Sequence, residues 1–206
     1  MSEKRTGKLS SPIDYSGLTF EEMLKEARIY FSDIFMKKGV RPKYNGKDIF
    51  FSMSSSSGMF DLGYPEKFLH ITSLDDEDKY NVFPCTNDYA YEICDIMCEG
   101  PSSISFYSVL GRWECVYRLR RIHWIREIID LANKRDPHIT EWDVVEIDHR
   151  RGKYNKRFIR YHYGIDDYVI ILREDKKQYI FITAFPVVSR ERKKEYDRQY
   201  NRYIKK

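Results

Sequence analysis

Apolar residues recur at helical spacing from Phe20 to Phe35: Phe20, Met23, Leu24, Ala27, Phe31, Ile34 and Phe35. That period predicts an amphipathic helix over 19–38. Thr19-Phe20-Glu21-Glu22 reads as a capping box at its start, and Gly39 with Pro42 closes it. Asn45-Gly46 marks a turn before a short strand, Ile49 to Met53, and Ser54 to Gly58 reads as a loop. Pro65 to Thr72 is a short apolar run with His70 inside it, and Asp75 to Tyr80 is acidic and polar. Asn87 to Glu99 has a helical period ending at Gly100, while Ser103 to Leu110 alternates as a strand does. Trp113 to Lys134 carries a second helical stripe, Ile122, Ile125, Ile128, Ile129 and Ala132, stopped by Asp136-Pro137. Arginines crowd the first half of that region, and a break near Arg120 is one way to place them.

The last third changes period. Val144–Asp148, Phe158–Tyr163, Tyr168–Arg173 and Tyr179–Phe185 are short β-branched and aromatic runs separated by turn-like groups. They predict an antiparallel meander. Ser189 to Lys206 then reads as a charged helix with tyrosines at 196, 200 and 203, expected to pack rather than to stack bases. The predicted fold is α+β: N-terminal helices, a four-stranded antiparallel sheet, and a C-terminal charged helix, with helices over one sheet face. Residues 1–60 read as a helical extension with a short strand, and 61–206 as the main α+β domain.

Alternation sorts the sheet residues by face. Ile159, Tyr161 and Tyr163 point one way, with Phe158, Arg160 and His162 opposite. In the last strand Ile180, Ile182 and Ala184 share a face, opposite Tyr179, Phe181, Thr183 and Phe185. The aliphatic set suits packing under helices. The face with Arg160, His162 and Thr183 is therefore expected to be open to solvent or ligand. Aromatics beside Arg and His on an open sheet suit base stacking and phosphate binding.

Charge sharpens this picture. The net charge is +4, but residues 143–206 carry 17 Lys/Arg against 10 Asp/Glu, leaving 19 against 22 in the remainder. A basic, aromatic end beside a mildly acidic body points to a polyanion partner. No apolar run approaches the roughly 18 residues of a membrane span. The stretch MSEKRTGKLSSPIDYSG lacks an apolar segment, so a cytoplasmic protein without a secretory signal is expected. Cys94 and Cys98 fall on one helix face, but neither they nor Cys85 and Cys115 have partners at zinc-ligand spacing. Burial in a reducing compartment is the expectation for all four, with no disulfide, metal or cofactor. Imidazole titrates near neutrality, so the five histidines are the candidates for proton transfer. His70 and His162 lead, His123 follows, and His138 and His149 lie in polar loops.

Four segments carry a resemblance: "FLHIT" (68–72), "RRIHWIREII" (120–129), "RYHYGIDDYVIIL" (160–172) and "YIFITAF" (179–185). Together they resemble the phage-associated branch of the barnase–EndoU–colicin–RelE superfamily of metal-independent ribonucleases and toxins, over residues 64–187. The resemblance implies RNA cleavage by transesterification. A base removes the 2′-OH proton, that oxygen attacks the adjacent phosphorus, and an acid protonates the departing 5′ oxygen. It places His70 and His162 as the proton-transfer pair, in either order. Arg121 and Arg160 would hold phosphate, Tyr168 would donate to it, and Thr183 would position phosphate or base. It implies an RNA substrate, tRNA or mRNA, and an antitoxin or immunity partner. A competing reading is a nucleic-acid-binding or regulatory protein without turnover; a third is a phage structural protein using the helix at 19–38 as a partner surface. The first two separate on geometry, because only an enzyme needs His70 and His162 facing one cleft.

Overall fold

The computed structural model describes residues 9–37, 39–51, 65–75, 112–149, 152–188 and 190–205. The capping box at Thr19 starts helix α1, Phe20–Phe31: Thr19 N–H donates to Glu22 Oε2 at 2.8 Å and Glu22 N–H to Thr19 Oγ1 at 3.4 Å. Leu24, Ala27 and Phe31 make its buried stripe, and one π-helical turn, Ser32–Met36, carries the path on to buried Phe35. Strands β1 (Lys43–Tyr44) and β2 (Lys47–Phe50) follow as a hairpin. Its turn holds Asn45 at φ 48° and Gly46 at φ 77°, the left-handed pair that Asn-Gly accepts with little strain.

Helix α2 is Glu66–Thr72, with Phe68, Leu69 and Ile71 buried. Strands β3 (Ser73–Asp75) and β4 (Arg112–Glu114) form a separate antiparallel pair. The second helical region divides as its arginines suggested, into α3 (Val116–Leu119) and α4 (Trp124–Asn133). It begins later than Trp113, which lies in β4. The carbonyl of Arg120, freed at the break, accepts Ile13 N–H at 2.8 Å. Then come β5 (Ile139–Asp148), β6 (Gly152–Tyr163), β7 (Asp166–Glu174), β8 (Gln178–Pro186) and helix α5 (Arg190–Tyr203). The strand expected at Ser103–Leu110, the helix at Asn87–Glu99 with Cys94 and Cys98, Cys85, the acidic stretch beyond Asp75 and the loop at 54–58 lie outside the described residues.

Among the described residues the main sheet has six strands, in the order β1-β2-β8-β7-β6-β5. Its β5–β8 part is the antiparallel meander read from the sequence. A four-stranded, wholly antiparallel sheet is corrected to a mixed one, because β2 adds parallel to β8 through Asp48↔Gln178, Ile49↔Tyr179 and Phe50↔Ile180. A four-residue strand carries too little alternation to announce so distant a partner. The described part of residues 1–60 thus supplies two strands of this sheet, and Leu24, Phe31, Phe35, Tyr44, Ile49 and Phe51 join the same core as Ile128, Tyr168 and Phe181.

Apolar layers occupy both sides of the sheet. On one, Ile159, Tyr161, Tyr168, Ile170, Leu172 and Phe181 pack under the N-terminal helices. On the other, Trp142, Phe158, Val169, Ile171 and Val187 pack with Tyr196 of α5. Strand β7 lies between β8 and β6, which is why its Val169–Leu172 segment is an unbroken buried run rather than an alternating one. The expectation of helices over a single face, with the Arg160 face open, is corrected by α5.

A bulge explains the other misassigned face. Ile171 pairs with Thr183 and Leu172 with Phe181, leaving Ile182 unmatched. One extra residue resets the alternation of β8 at that point. Tyr179, Phe181 and Ala184 therefore share the N-terminal-helix core, while Ile182 and Phe185 pack in the layer beside α5. Among the described residues no strand pairs with the outer side of β8 beyond Ile180, and Lys67 of α2 donates from Nζ to the Ile182 carbonyl at 2.9 Å. Among the described residues, no helix is long and apolar enough to cross a membrane.

Candidate nucleic-acid interface

The six residues singled out from the sequence are divided between the two faces of the main sheet and helix α2. Arg121 and Tyr168 belong to the N-terminal-helix side and are enclosed. The Arg121 guanidinium lies over the Tyr117 ring at 3.5 Å and 5.0 Å from the Trp124 ring, with Nη1 donating to the Tyr117 carbonyl. Tyr168 packs edge-on to Trp124 at 6.0 Å, and burial raises its phenol well above the ordinary tyrosine range. Arg121 therefore braces the α3–α4 break, and Tyr168 stays neutral inside the core.

Arg160, His162 and Thr183 point to the opposite face. Arg160 is only 3% exposed. Its Nε and Nη2 grip the Asp167 carboxylate at 2.8 and 2.6 Å, and Nη1 donates to Asp197 of α5 at 2.7 Å. Lys193 approaches Asp167 from the same helix at 3.7 Å. Burial works against the charge on Arg160, but the two carboxylates outweigh it and raise its pKa. All three forks of the guanidinium are thus directed at protein carboxylates. Thr183 is buried on this side. His162 is exposed at the sheet rim, its N–H bonded to the His138 carbonyl. His70 is half-buried near the end of α2, whose Lys67 binds the edge of β8.

His123 is part of a strap instead. Residues 9–15 cross α4: Ser10 donates to Glu127 from N and Oγ, Trp124 Nε1 donates to the Ser10 carbonyl at 2.8 Å, and His123 Nε2 lies 3.2 Å from the Ser11 carbonyl. A carbonyl only accepts, so Nε2 carries the proton. Nδ1 is enclosed and has no hydrogen-bond partner among the described residues. Burial, aided by Arg121, outweighs Glu127 and the Ser11 carbonyl and holds His123 below the ordinary histidine range. The unfolded chain, titrating near 6.5, then binds a proton that the folded chain refuses, so stability falls as pH drops through that value. Thermal melts of wild type and His123→Gln at pH about 7.5 and about 5.5 check this. The wild type should lose more between the two than the variant, which keeps an amide donor for Ser11; equal losses would clear the imidazole of responsibility.

The outward face of α5 was missed in the sequence, although its signal is a plain one. Arg190, Lys194, Arg198 and Arg202 recur every four residues, and all are exposed. Each four-residue step advances about 40° around the helix and about 6 Å along it, so the four make one slowly winding ridge about 18 Å long. Among the described residues Lys194, Arg198 and Arg202 pair with no carboxylate, and Arg198 Nε donates to the Lys194 carbonyl. Two acids of the helix are engaged elsewhere: Asp197 with Arg160, Glu195 with Arg192 and Gln199.

The inner face explains why this ridge is held still. Tyr196 lies against Trp142 and Phe158 at 5.7 and 5.8 Å between ring centroids, and Tyr200 meets Trp142 at 6.2 Å. Trp142 Nε1 donates to Gln199 at 3.0 Å. Tyr196 and Tyr200 are therefore packing residues, as expected, whereas Tyr203, expected to pack with them, is exposed in the last turn; the helix presents cations from a clamped position. Comparison of the chain with protein-family models, with curated proteins and with solved structures gives no match.

Proposed function

We propose that the chain is a nucleic-acid-binding protein that holds a phosphate backbone along the outer face of α5. The observation that carries this reading is the run of exposed cations at 194, 198 and 202, unpaired with carboxylates among the described residues, on a helix fixed to the sheet by its other face. Such a ridge follows a charged polymer better than it fits a compact ligand, and releases counterions as each phosphate is neutralised. RNA is the ligand that the sequence resemblance implies.

The binding reading is favoured over RNA cleavage by the surroundings of the proposed catalytic groups. Transesterification needs a base and an acid on either side of one phosphate, with free cations beside it. Arg160 is committed to Asp167 and Asp197, Arg121 and Tyr168 are enclosed on the other side of the sheet, and His70 stands on a separate short helix. Fluorescence polarisation with a labelled single-stranded RNA, read across a series of salt concentrations, tests the proposal. The logarithm of affinity should fall linearly with that of salt, with a slope of about −2 to −3 for three to four phosphate contacts. No binding at low salt, or binding indifferent to salt, defeats it. The same RNA incubated in chelator and analysed for 2′,3′-cyclic phosphate ends tests turnover directly; such ends would restore the transesterase reading.

A further inference from the structure

A second feature lies at the other end of the meander and contains no residue of α5. The β5–β6 ladder runs on to Asp148↔Gly152, whereas the β6–β7 ladder stops at Lys156↔Arg173. Four residue pairs, from Val145↔Asn155 to Asp148↔Gly152, therefore overhang the sheet as a two-stranded ribbon. The β7–β8 turn stands beside it. Between ribbon and turn lies a concavity of about 890 Å³. That is the size of a site for a small organic ligand, far more than a lone phosphate fills.

Its lining is mixed in a telling way. Lys153 enters from the ribbon, Arg173 and Lys176 from β7 and the turn. Among the described residues none of these three forms an ion pair, whereas the fourth cation, Lys47, is paired with Glu174 at 3.4 Å. Tyr154 supplies an aromatic ring whose hydroxyl is anchored on Glu146, with the Arg173 guanidinium 5.8 Å from its centroid. Asn155, Glu174 and Asp175 add an amide and two carboxylates. A groove for a bare polyanion has no use for carboxylates, which would repel it. A ligand with phosphate at one end and hydrogen-bond donors on a flat ring at the other uses all of these groups.

We propose that this notch binds a phosphorylated nucleoside. Lys153 and Lys176 take the phosphates, the Tyr154 ring and the Arg173 guanidinium beside it contact the base, and the carboxylates accept from its amino group or from ribose hydroxyls. The ligand is a free nucleotide or the terminal unit of a strand, and the two share this chemistry.

Calorimetry on the full chain in chelator, with ATP and with inorganic pyrophosphate, tests the proposal. ATP should bind saturably, about tenfold or more tighter than pyrophosphate. Lys153→Glu combined with Lys176→Glu should weaken ATP by about tenfold or more, while Lys134→Glu, an exposed change of the same sign elsewhere, leaves it unaltered. All three side chains are exposed, so folding is retained and is checked by circular dichroism. No saturable ATP binding, pyrophosphate binding as tight as ATP, or equal losses in both variants would each overturn the assignment. Saturating ATP that displaces labelled RNA identifies a strand end as the natural occupant; ATP that binds without displacing RNA identifies a free nucleotide. Because ATP and RNA are read separately, failure here leaves the α5 proposal standing, and the reverse holds as well.

Discussion

Arg160→Met should cost the protein about 3–5 kcal/mol of unfolding free energy, the range for stripping one partner from a buried ion pair. The large figure comes from Asp167, not from the lost bond itself. Its side chain is fully buried, and Arg160 occupies both carboxylate oxygens. Without the guanidinium, among the described residues only Lys193, at 3.7 Å, remains close to an ionised group taken out of water. The link to Asp197 matters less, since that carboxylate is 61% exposed and water screens it. A second change, Asp167→Leu in the Arg160→Met background, should restore most of the stability, because an apolar pair of similar volume avoids the desolvation cost altogether. Denaturant unfolding of the wild type, the single variant and the double variant reads this directly. A single variant within about 1 kcal/mol of wild type would mean that the network is not the keystone of the α5 contact.

Replacing Lys194, Arg198 and Arg202 together by Gln should leave the fold intact and remove most RNA affinity. The three side chains are exposed, and Gln has nearly the helix propensity of Lys and Arg. Three lost phosphate contacts on a single strand make the salt slope shallower by about 2, and at low salt weaken binding by about a hundredfold. The control removes the same charge elsewhere: Lys25, Lys37 and Lys43 to Gln, all more than half exposed. If both triple variants lose affinity alike, binding follows net charge and α5 has no special part in it.

Much of the local structure was legible because its signals are short-range. The capping box at Thr19, the Asn45-Gly46 turn and the four apolar runs after residue 140 each depend on neighbours within a few positions. The differences at the proposed site concern what covers what. Alternation along β8 placed Phe181 and Ala184 on opposite faces, and the bulge at Ile182, which no local residue announces, put them on the same one. Tyr196 and Tyr200 of α5 marked an inner face, though Tyr203 does not share it, and nothing in their spacing said that it would lie on the Arg160 side of the sheet. That contact turned a proposed phosphate ligand into a structural ion pair. The pair itself could have been read: Gly164-Ile165 fixes a hairpin with Tyr163↔Asp166, which sets Arg160 and Asp167 diagonally across the ladder. The cations of α5 stand at a spacing of four in the sequence, but which side of the helix faces solvent depends on the distant Trp142 and Phe158.

The parallel seam between β2 and β8 has a consequence for how the chain must reach this state. Residues 48–50 leave the ribosome long before their partners at 178–180 exist. In the interval β2 has only the short hairpin partner β1 among the described strands, and Ile49 lacks Tyr179 beside it; closing so wide a loop demands chain entropy before any contact rewards it. The nascent polypeptide is therefore expected to mature late and all at once, with the seam zipping only after the meander has formed and a holding chaperone useful until then.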